Sequence, residues 1–354
     1  MKEVIEKLLA LMVKKKASDL HITAGSPPFL RIDGNLIPVE YPVLSSVQTK
    51  ELAYVILNKD QVAAFEKERE LDMSFGREGL GRFRVNVFVQ RGSVSVAIRS
   101  VPFQIPTFEE CGLPVPIMED FGRRHKGLIL VTGSTGSGKS TTLAALVDWI
   151  NRERQCHIVT IEDPIEYVYS NKKAIIDQRE VGTDTLTFGA ALKHVLREDP
   201  NVILIGEMRD LETIESALNI AETGHLVFAT LHTSDCVQTV NRVVDVFPAH
   251  QQQQVRAQLS FVLLGVLSQQ LIPRATGSGR VLSAEVLIAN PAVRTLIREA
   301  KAHQIYSVIQ TNQRDGMRTM NQSLAELYLK KEISYEEAMS RSSDPEEFLR
   351  LVKR

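Results

Sequence analysis

Apolar side chains recur at two different periods along this chain, and the change of period divides it. Met1 to Lys16 carries apolar residues at helical spacing among Lys2, Glu3, Glu6 and Lys7, which predicts a first helix. Phe29-Leu30-Arg31-Ile32 and Leu36-Ile37-Pro38-Val39 flank Asp33-Gly34-Asn35, residues that tolerate positive φ, so a hairpin is expected there. Helical spacing returns in Glu51 to Leu57 and Gln61 to Arg69. Arg82 to Gln90 and Ser93 to Arg99 then alternate as two half-buried strands around Arg91-Gly92. Residues 1–100 thus read as a small α+β sheet domain.

Pro102, Pro106, Pro114 and Pro116 each fix φ and disfavour helix at the preceding residue, which makes 101–118 the expected linker. Beyond it, short apolar runs alternate with helical patterns: Leu128 to Thr132, His157 to Ile161, Val202 to Ile205 and Leu226 to Leu231. That alternation predicts an α/β core with a parallel sheet over 119–290. Past Asn290 three or four short helices are expected, forming a C-terminal extension over 291–354. Asn290-Pro291 supplies an N-cap with a helix-compatible first residue, and Ser334 with Glu337 and Asp344-Pro345 with Glu347 have capping-box spacing.

Composition narrows the classes. The 354 residues are 44% hydrophobic and 24% charged, the profile of a globular protein in water, and the length suits two domains. With 42 basic and 43 acidic side chains the formal charge is −1, so no global field draws the chain onto nucleic acid or anionic lipid. Met1 to Lys16 lacks the apolar core and cleavage site of a signal peptide. The longest apolar stretch, Leu259 to Ile272, is broken by Ser260, Ser268, Gln269 and Gln270 and is too short to cross a bilayer, so a cytoplasmic location is expected. Cys111, Cys156 and Cys236 form no CxxC pair and read as buried, reduced thiols.

The strongest chemical pattern is Gly133-Ser134-Thr135-Gly136-Ser137-Gly138-Lys139-Ser140, a phosphate-binding loop between the strand at 128–132 and a helix that continues through Thr141. Its backbone N–H groups would converge on phosphate oxygens at a helix N-terminus, where aligned peptide dipoles favour negative charge. Lys139 would reach the β- and γ-phosphates of ATP, and Ser140 would ligate Mg²⁺. A glycine-rich turn that merely matches the pattern is the bland alternative.

Hydrolysis needs further groups. Two predicted strands end in acids: His157 to Ile161 leads into Glu162-Asp163-Pro164, and Asn201 to Ile205 into Gly206-Glu207. In a parallel sheet both tips emerge on the ligand-binding edge. The position that would supply an Asp for Mg²⁺ is Gly206, so Glu162 is the substitute metal ligand and Glu207 the group that orients or deprotonates the attacking water. Alternatively, each acid only closes a loop. His232, at the tip of the Leu226 to Leu231 strand, is a candidate γ-phosphate sensor, and His225, at its other end, a weaker one.

Together these segments resemble the secretion and type IV pilus ATPases, specifically the PilT-like retraction motors. The resemblance rests on the phosphate loop, on Ile161-Glu162-Asp163-Pro164-Ile165-Glu166, on Ile205-Gly206-Glu207-Met208-Arg209-Asp210 and on Thr223 to Thr233 with its two histidines. Assembly motors of the family commonly carry a four-cysteine insert that these three cysteines cannot form. Ala292 to Glu299 is similar to the AIRxLIRE helix of the retraction branch, with Val293 in place of Ile. On that helix Val293, Leu296, Ile297 and Ala300 are expected to pack inward, and Arg294 and Arg298 to share an outer face.

The resemblance implies an N-terminal PAS-like α+β domain followed by a RecA-like P-loop NTPase domain, arranged as a homo-hexamer with nucleotide between the domains. Arg82, Arg84 and Arg99 then become candidates for stabilising the triphosphate, with Arg82 and Arg84 on one strand face and ordinary surface arginines as the alternative. It further implies ATP and Mg²⁺ as cofactors, an inner-membrane platform protein as partner, and only indirect contact with the membrane at the pilus base. Rival readings are a RecA-like nucleic-acid or secretion motor, a pilus extension ATPase, and a nucleotide switch that does not hydrolyse.

Overall fold

The computed structural model describes residues 1–32, 34–77, 79–101 and 104–353. They form two compact units, Met1–Gln104 with Glu166–Val168, and Ile105–Ile165 with Tyr169–Arg354.

The first unit is an antiparallel six-stranded sheet with helices α1 (Lys2–Lys14), α2 (Ser46–Ile56) and α3 (Lys59–Glu68). Its strands β1 (Asp19–Ile22), β2 (Phe29–Ile32), β3 (Asn35–Pro38), β4 (Glu70–Arg77), β5 (Gly81–Gln90) and β6 (Ser93–Val101) lie in the order β3-β2-β1-β6-β5-β4. The expected hairpin forms, with Ile32 opposite Asn35 and Gly34 at φ +84°; Asp33 lies outside the described residues. Helix α2 starts before Glu51 because Ser45 and Gln48 make a full capping box. On β5, Phe83, Val85 and Val87 face the core, leaving Arg82, Arg84 and Asn86 together on the other face. Strands β1 and β4 were not expected. β1 is only four residues long, too short for a period to register; in β4 Leu71, Met73 and Phe75 do alternate with Glu70, Asp72 and Ser74, but the acids are poor strand formers and follow directly on the helical spacing that ends at Arg69.

In the second unit the strands are β7 (Gly127–Thr132), β8 (His157–Glu162), β9 (Ile175–Glu180), β10 (Val202–Ile205), β11 (Leu226–Leu231), β12 (Leu263–Pro273) and β13 (Arg280–Ile288), in the order β13-β12-β7-β11-β10-β8-β9. All pairs are parallel except β12 with β13. Helices α4 (Val115–Arg123) and α5 (Lys139–Glu153) cover one face, where Met118, Phe121, Leu146 and Ile150 pack on Ile129, Val131 and Phe228. Helices α6 (Phe188–Val195), α7 (Leu211–Glu222), α8 (Cys236–Asp245) and α9 (Gln252–Val262) lie with the core of Leu128, Leu130, Ile203 and Ile205. The run at 259–272 is therefore the end of α9 followed by a strand inside the sheet. Among the described residues no helix is long and apolar enough to cross a membrane.

Pro102 of the expected linker lies outside the described residues, and from Ile105 onward the segment belongs to the second unit, with Phe108 and Leu113 buried in its core. Of the cysteines only Cys236 is buried; burial pushes the half-buried Cys111 thiol up to about 11, which leaves it unreactive.

The C-terminal extension holds five α-helices among the described residues, not three or four: α10 (Pro291–Arg298), α11 (Ile305–Thr311), α12 (Met320–Leu329), α13 (Tyr335–Arg341) and α14 (Pro345–Val352). Asn290, Ser334 and Asp344 cap α10, α13 and α14 as expected. The reciprocal half of each capping box is absent, because Glu337 pairs with Arg341, and Glu347 accepts from Tyr306, Gln310 and Asn321. On α10 the expected outer pair is not a pair. Arg298 is exposed, but Arg294 turns back to donate to the carbonyls of Ala289, Ser260, Phe261 and Leu263, closing the C-terminus of α9. Ala300 is exposed at φ +58°, beyond the helix end, rather than packed inward.

Glu285 on β13 is almost fully buried and accepts the N–H groups of Cys236 and Met320, the first residues of α8 and α12, at 2.8 and 3.3 Å. Burial raises its carboxyl pKa, and these two backbone donors offset part of that rise.

Candidate active site

Strand β7 is buried at every position and is flanked by β11 and β12, so its C-terminal end opens at the middle of the sheet. From there Gly133–Ser140 leads into α5. Gly133 has φ +138°, and a Cβ on it would fall 2.4 Å from the Gln269 carbonyl, so this residue must be glycine. Gly138, left-handed at φ +91°, is the N-cap of α5 and offers no side chain to its leading N–H groups. Ser134, Thr135 and Gly136 are exposed, whereas Ser137 and Lys139 are buried. Ser137 Oγ has no hydrogen-bond partner among the described residues. A buried hydroxyl without a partner, glycines that keep the backbone bare, and an open helix N-terminus are the donor set that a phosphate group fits.

Lys139 Nζ donates to the carbonyls of Gly133 at 2.8 Å and Ser134 at 3.0 Å. Burial pulls its pKa down, and the Glu207 carboxylate opposes that shift. Ser140 and Thr141 occupy the first turn of α5.

Of the two acids, Glu207 is the one coupled electrostatically to Lys139. Arg209 grips both of its oxygens at 2.8 Å, and His232 Nε2 lies 3.4 Å from Oε1. The Arg209 hydrogen bond, with help from the charges of Arg209, His232 and Lys139, outweighs partial burial and holds the Glu207 carboxyl below the usual range. Arg209 was not among the expected site residues; the signal was its place two residues from Glu207 in the same acidic motif. Glu162 ends β8, three strands from β7, and is nearly buried, accepting from Thr160 Oγ1 at 2.7 Å and Gln178 Nε2 at 3.3 Å. An Asp at Gly206 would be tight, because a Cβ there would sit 3.2 Å from both Glu162 Cα and the Ile161 carbonyl.

The histidines separate. Leu231 pairs with Thr132, so His232 follows β11 at the loop's edge of the sheet. His225 precedes β11 at the opposite edge, where Thr223 Oγ1 and the Ile220 carbonyl surround its Nδ1, and β11 itself spans roughly 20 Å. The structure does not bring His225 to the loop. The three arginines lie in the first unit: Arg82 donates to Ser74 Oγ at 2.6 Å, Arg84 pairs with Glu166 at 2.7 Å and Arg99 with Asp19 at 2.8 Å. Among the described residues no group of three or more His, Cys, Asp or Glu side chains is placed to hold a metal ion.

A glycine loop joining a central parallel strand to a helix, with a lysine folded into it and an ionised glutamate beside it, defines a P-loop NTPase of the RecA-like kind. Residues 1–340 match the family described as Type II/IV secretion system protein, and the chain belongs to that family. It is 49% identical to the type IV pilus retraction ATPase PilT of Pseudomonas aeruginosa, over 97% of this chain and 99% of that one. It is 47% identical to a twitching motility protein of Neisseria gonorrhoeae, over 94% and 90%. A crystal structure of the pilus retraction motor PilT with bound ADP superposes with a TM-score of 0.90 at 51% identity, covering 99% of both chains. Within the family the chain is thus PilT-like, with an N-terminal PAS-like α+β domain, a RecA-like ATPase domain and a C-terminal helical extension.

Proposed function

We propose that the chain is an ATP-hydrolysing motor that powers type IV pilus retraction. The observation that carries the ATPase reading is the ionised Glu207 beside the loop lysine and His232. A nucleotide switch has no need of a carboxylate held ready at the tip of β10, whereas hydrolysis does. Because its pKa is depressed, Glu207 is a weak base, so it acts by orienting the attacking water rather than by removing a proton early.

The remaining roles follow from charge. Loop N–H groups, Ser137 and Lys139 bind and orient the phosphates, and His232 senses the γ-phosphate. Ser140 and Glu162 would be the oxygen donors for Mg²⁺, which would supply neutralising charge to the phosphates when bound. Arg82 and Arg84, and secondarily Arg99, add positive charge to the triphosphate, for which each would have to leave its partner in the first unit, Ser74, Glu166 or Asp19.

The pilus assignment is supported by the similarity to the retraction ATPase and the twitching motility protein at 49% and 47% identity. The motor works as a cytoplasmic homo-hexamer on an inner-membrane platform protein at the pilus base. The test is complementation of a piliated strain that lacks its retraction motor. Surface motility and pilus-dependent phage infection should return with this chain and not with Glu207→Gln. Failure of the active chain despite expression and ATPase activity would remove the retraction reading and favour extension.

A further inference from the structure

Gln269 lies outside every nucleotide motif of the chain, yet the phosphate loop leans on it. It is 1% exposed, on β12, one residue past the Ser268–Thr132 pairing, and so stands alongside the start of the loop. Its Nε2 donates to the Ser137 carbonyl at 2.7 Å, and its Oε1 accepts from Thr142 Oγ1 at 3.0 Å. A carbonyl only accepts and a hydroxyl is free to donate, so both ends of the amide are committed and its orientation is unique. The first and third glycines of the loop answer to this one residue. A Cβ on Gly133 would meet the Gln269 carbonyl at 2.4 Å, and one on Gly138 would meet Nε2 at 3.2 Å.

A buried amide between apolar strands is costly unless both ends are satisfied, and an apolar side chain would fill the same space without that requirement. What the amide does that an apolar side chain cannot is fix a peptide plane. The Ser137–Gly138 peptide is planar and trans, so its C=O and N–H point in opposite directions. Holding the Ser137 carbonyl toward β12 turns the Gly138 N–H away from β12, the orientation in which it is free to meet an anion in the loop. Thr142, in the second turn of α5, locks the amide to the same helix whose N-terminus receives the anion.

We propose that Gln269 is a positioning residue for nucleotide, acting by setting the orientation of the Ser137–Gly138 peptide. The inference rests on the nucleotide-site reading above. Because the Gly138 N–H would contact phosphate both before and during hydrolysis, losing its orientation weakens binding uniformly, which raises KM and leaves kcat at saturation nearly intact.

The test measures the Kd of a fluorescent ADP analogue, mant-ADP, and steady-state ATPase kinetics for Gln269→Met and Gln269→Glu. Met keeps the length without a donor; Glu keeps the acceptor for Thr142 but sets an oxygen against the Ser137 carbonyl. Both should raise Kd and KM about 10- to 100-fold with kcat within about threefold, and should lose the rise in melting temperature that ADP gives the parent. Folded variants with Kd within about twofold of the parent would overturn the proposal. If neither variant folds, Thr142→Val decides: it frees the amide with little change in volume, a several-fold rise in Kd is expected, and an unchanged Kd overturns the idea. Lys139→Ala separates the two readings. If it binds mant-ADP like the parent, the nucleotide site itself is wrong; if it loses binding while the Gln269 variants keep theirs, only the role of Gln269 falls.

Discussion

Glu207 carries the most consequence at the scale of single residues. Replacing it with Gln removes the charge proposed to orient water but leaves the loop untouched, so phosphate release should fall at least about a hundredfold while mant-ADP binding stays within about twofold. Wild-type turnover in that variant would remove Glu207 from catalysis. Its depressed pKa also fixes the sign of the acid limb. The carboxylate titrates below the ordinary glutamate value of 4.5, so in the pH profile of kcat/KM the acid limb from its protonation should be centred below that value. A limb centred above it would mean that another group governs the rate. Sequence alone located the loop, both acids and the absent Asp, because those depend on adjacent residues. It assigned Glu162 to the metal and Glu207 to the water but did not say which lies nearer the loop, because strand order decides that: β10 lies two strands from β7, and β8 three.

Among the elements, α9, β12 and α10 show where local pattern runs out. A run such as Leu263 to Ile272 has no clean period, because a strand inside a sheet is apolar on both faces, and its polar pair Ser268-Gln269 reads only as an interruption. Its partners, Ser234, Ser137 and Thr142, lie far off in sequence. Arg294 and Arg298 make the same point on α10. Four residues apart and on the same side of a helix, they look alike in sequence, yet only Arg294 reaches the final carbonyls of α9. In urea unfolding, Arg294→Ala should cost about 2 kcal/mol and Arg298→Ala less than about 0.5 kcal/mol. Equal effects would deny Arg294 its capping role. Asn290→Ala, which removes the N-cap of α10, should cost about 1 kcal/mol by the same measurement.

For the whole molecule, the change from antiparallel alternation to buried runs between helices was enough to give both fold classes, since each period reflects how many faces a sheet buries. What the period does not carry is assembly. A hexamer predicts a sedimenting mass six times that of the chain, and the double variant Arg82→Ala, Arg84→Ala should keep that mass while ATPase falls at least about a hundredfold. Unchanged turnover in intact oligomers would return both arginines to a structural role.

The two N–H groups that meet at Glu285 give the last helices a meaning beyond covering. One opens α8, whose first residue comes four positions after His232; the other opens α12 in the C-terminal extension. A chain ending ahead of Thr319 would therefore lose half the neutralisation of an interior charge, not merely an appendage. Since burial has already raised the Glu285 pKa, its favourable contribution is complete below the unfolded value and drains away as pH climbs through the folded one. Shortening the chain should steepen that decline and carry it to the threshold of the histidine tip.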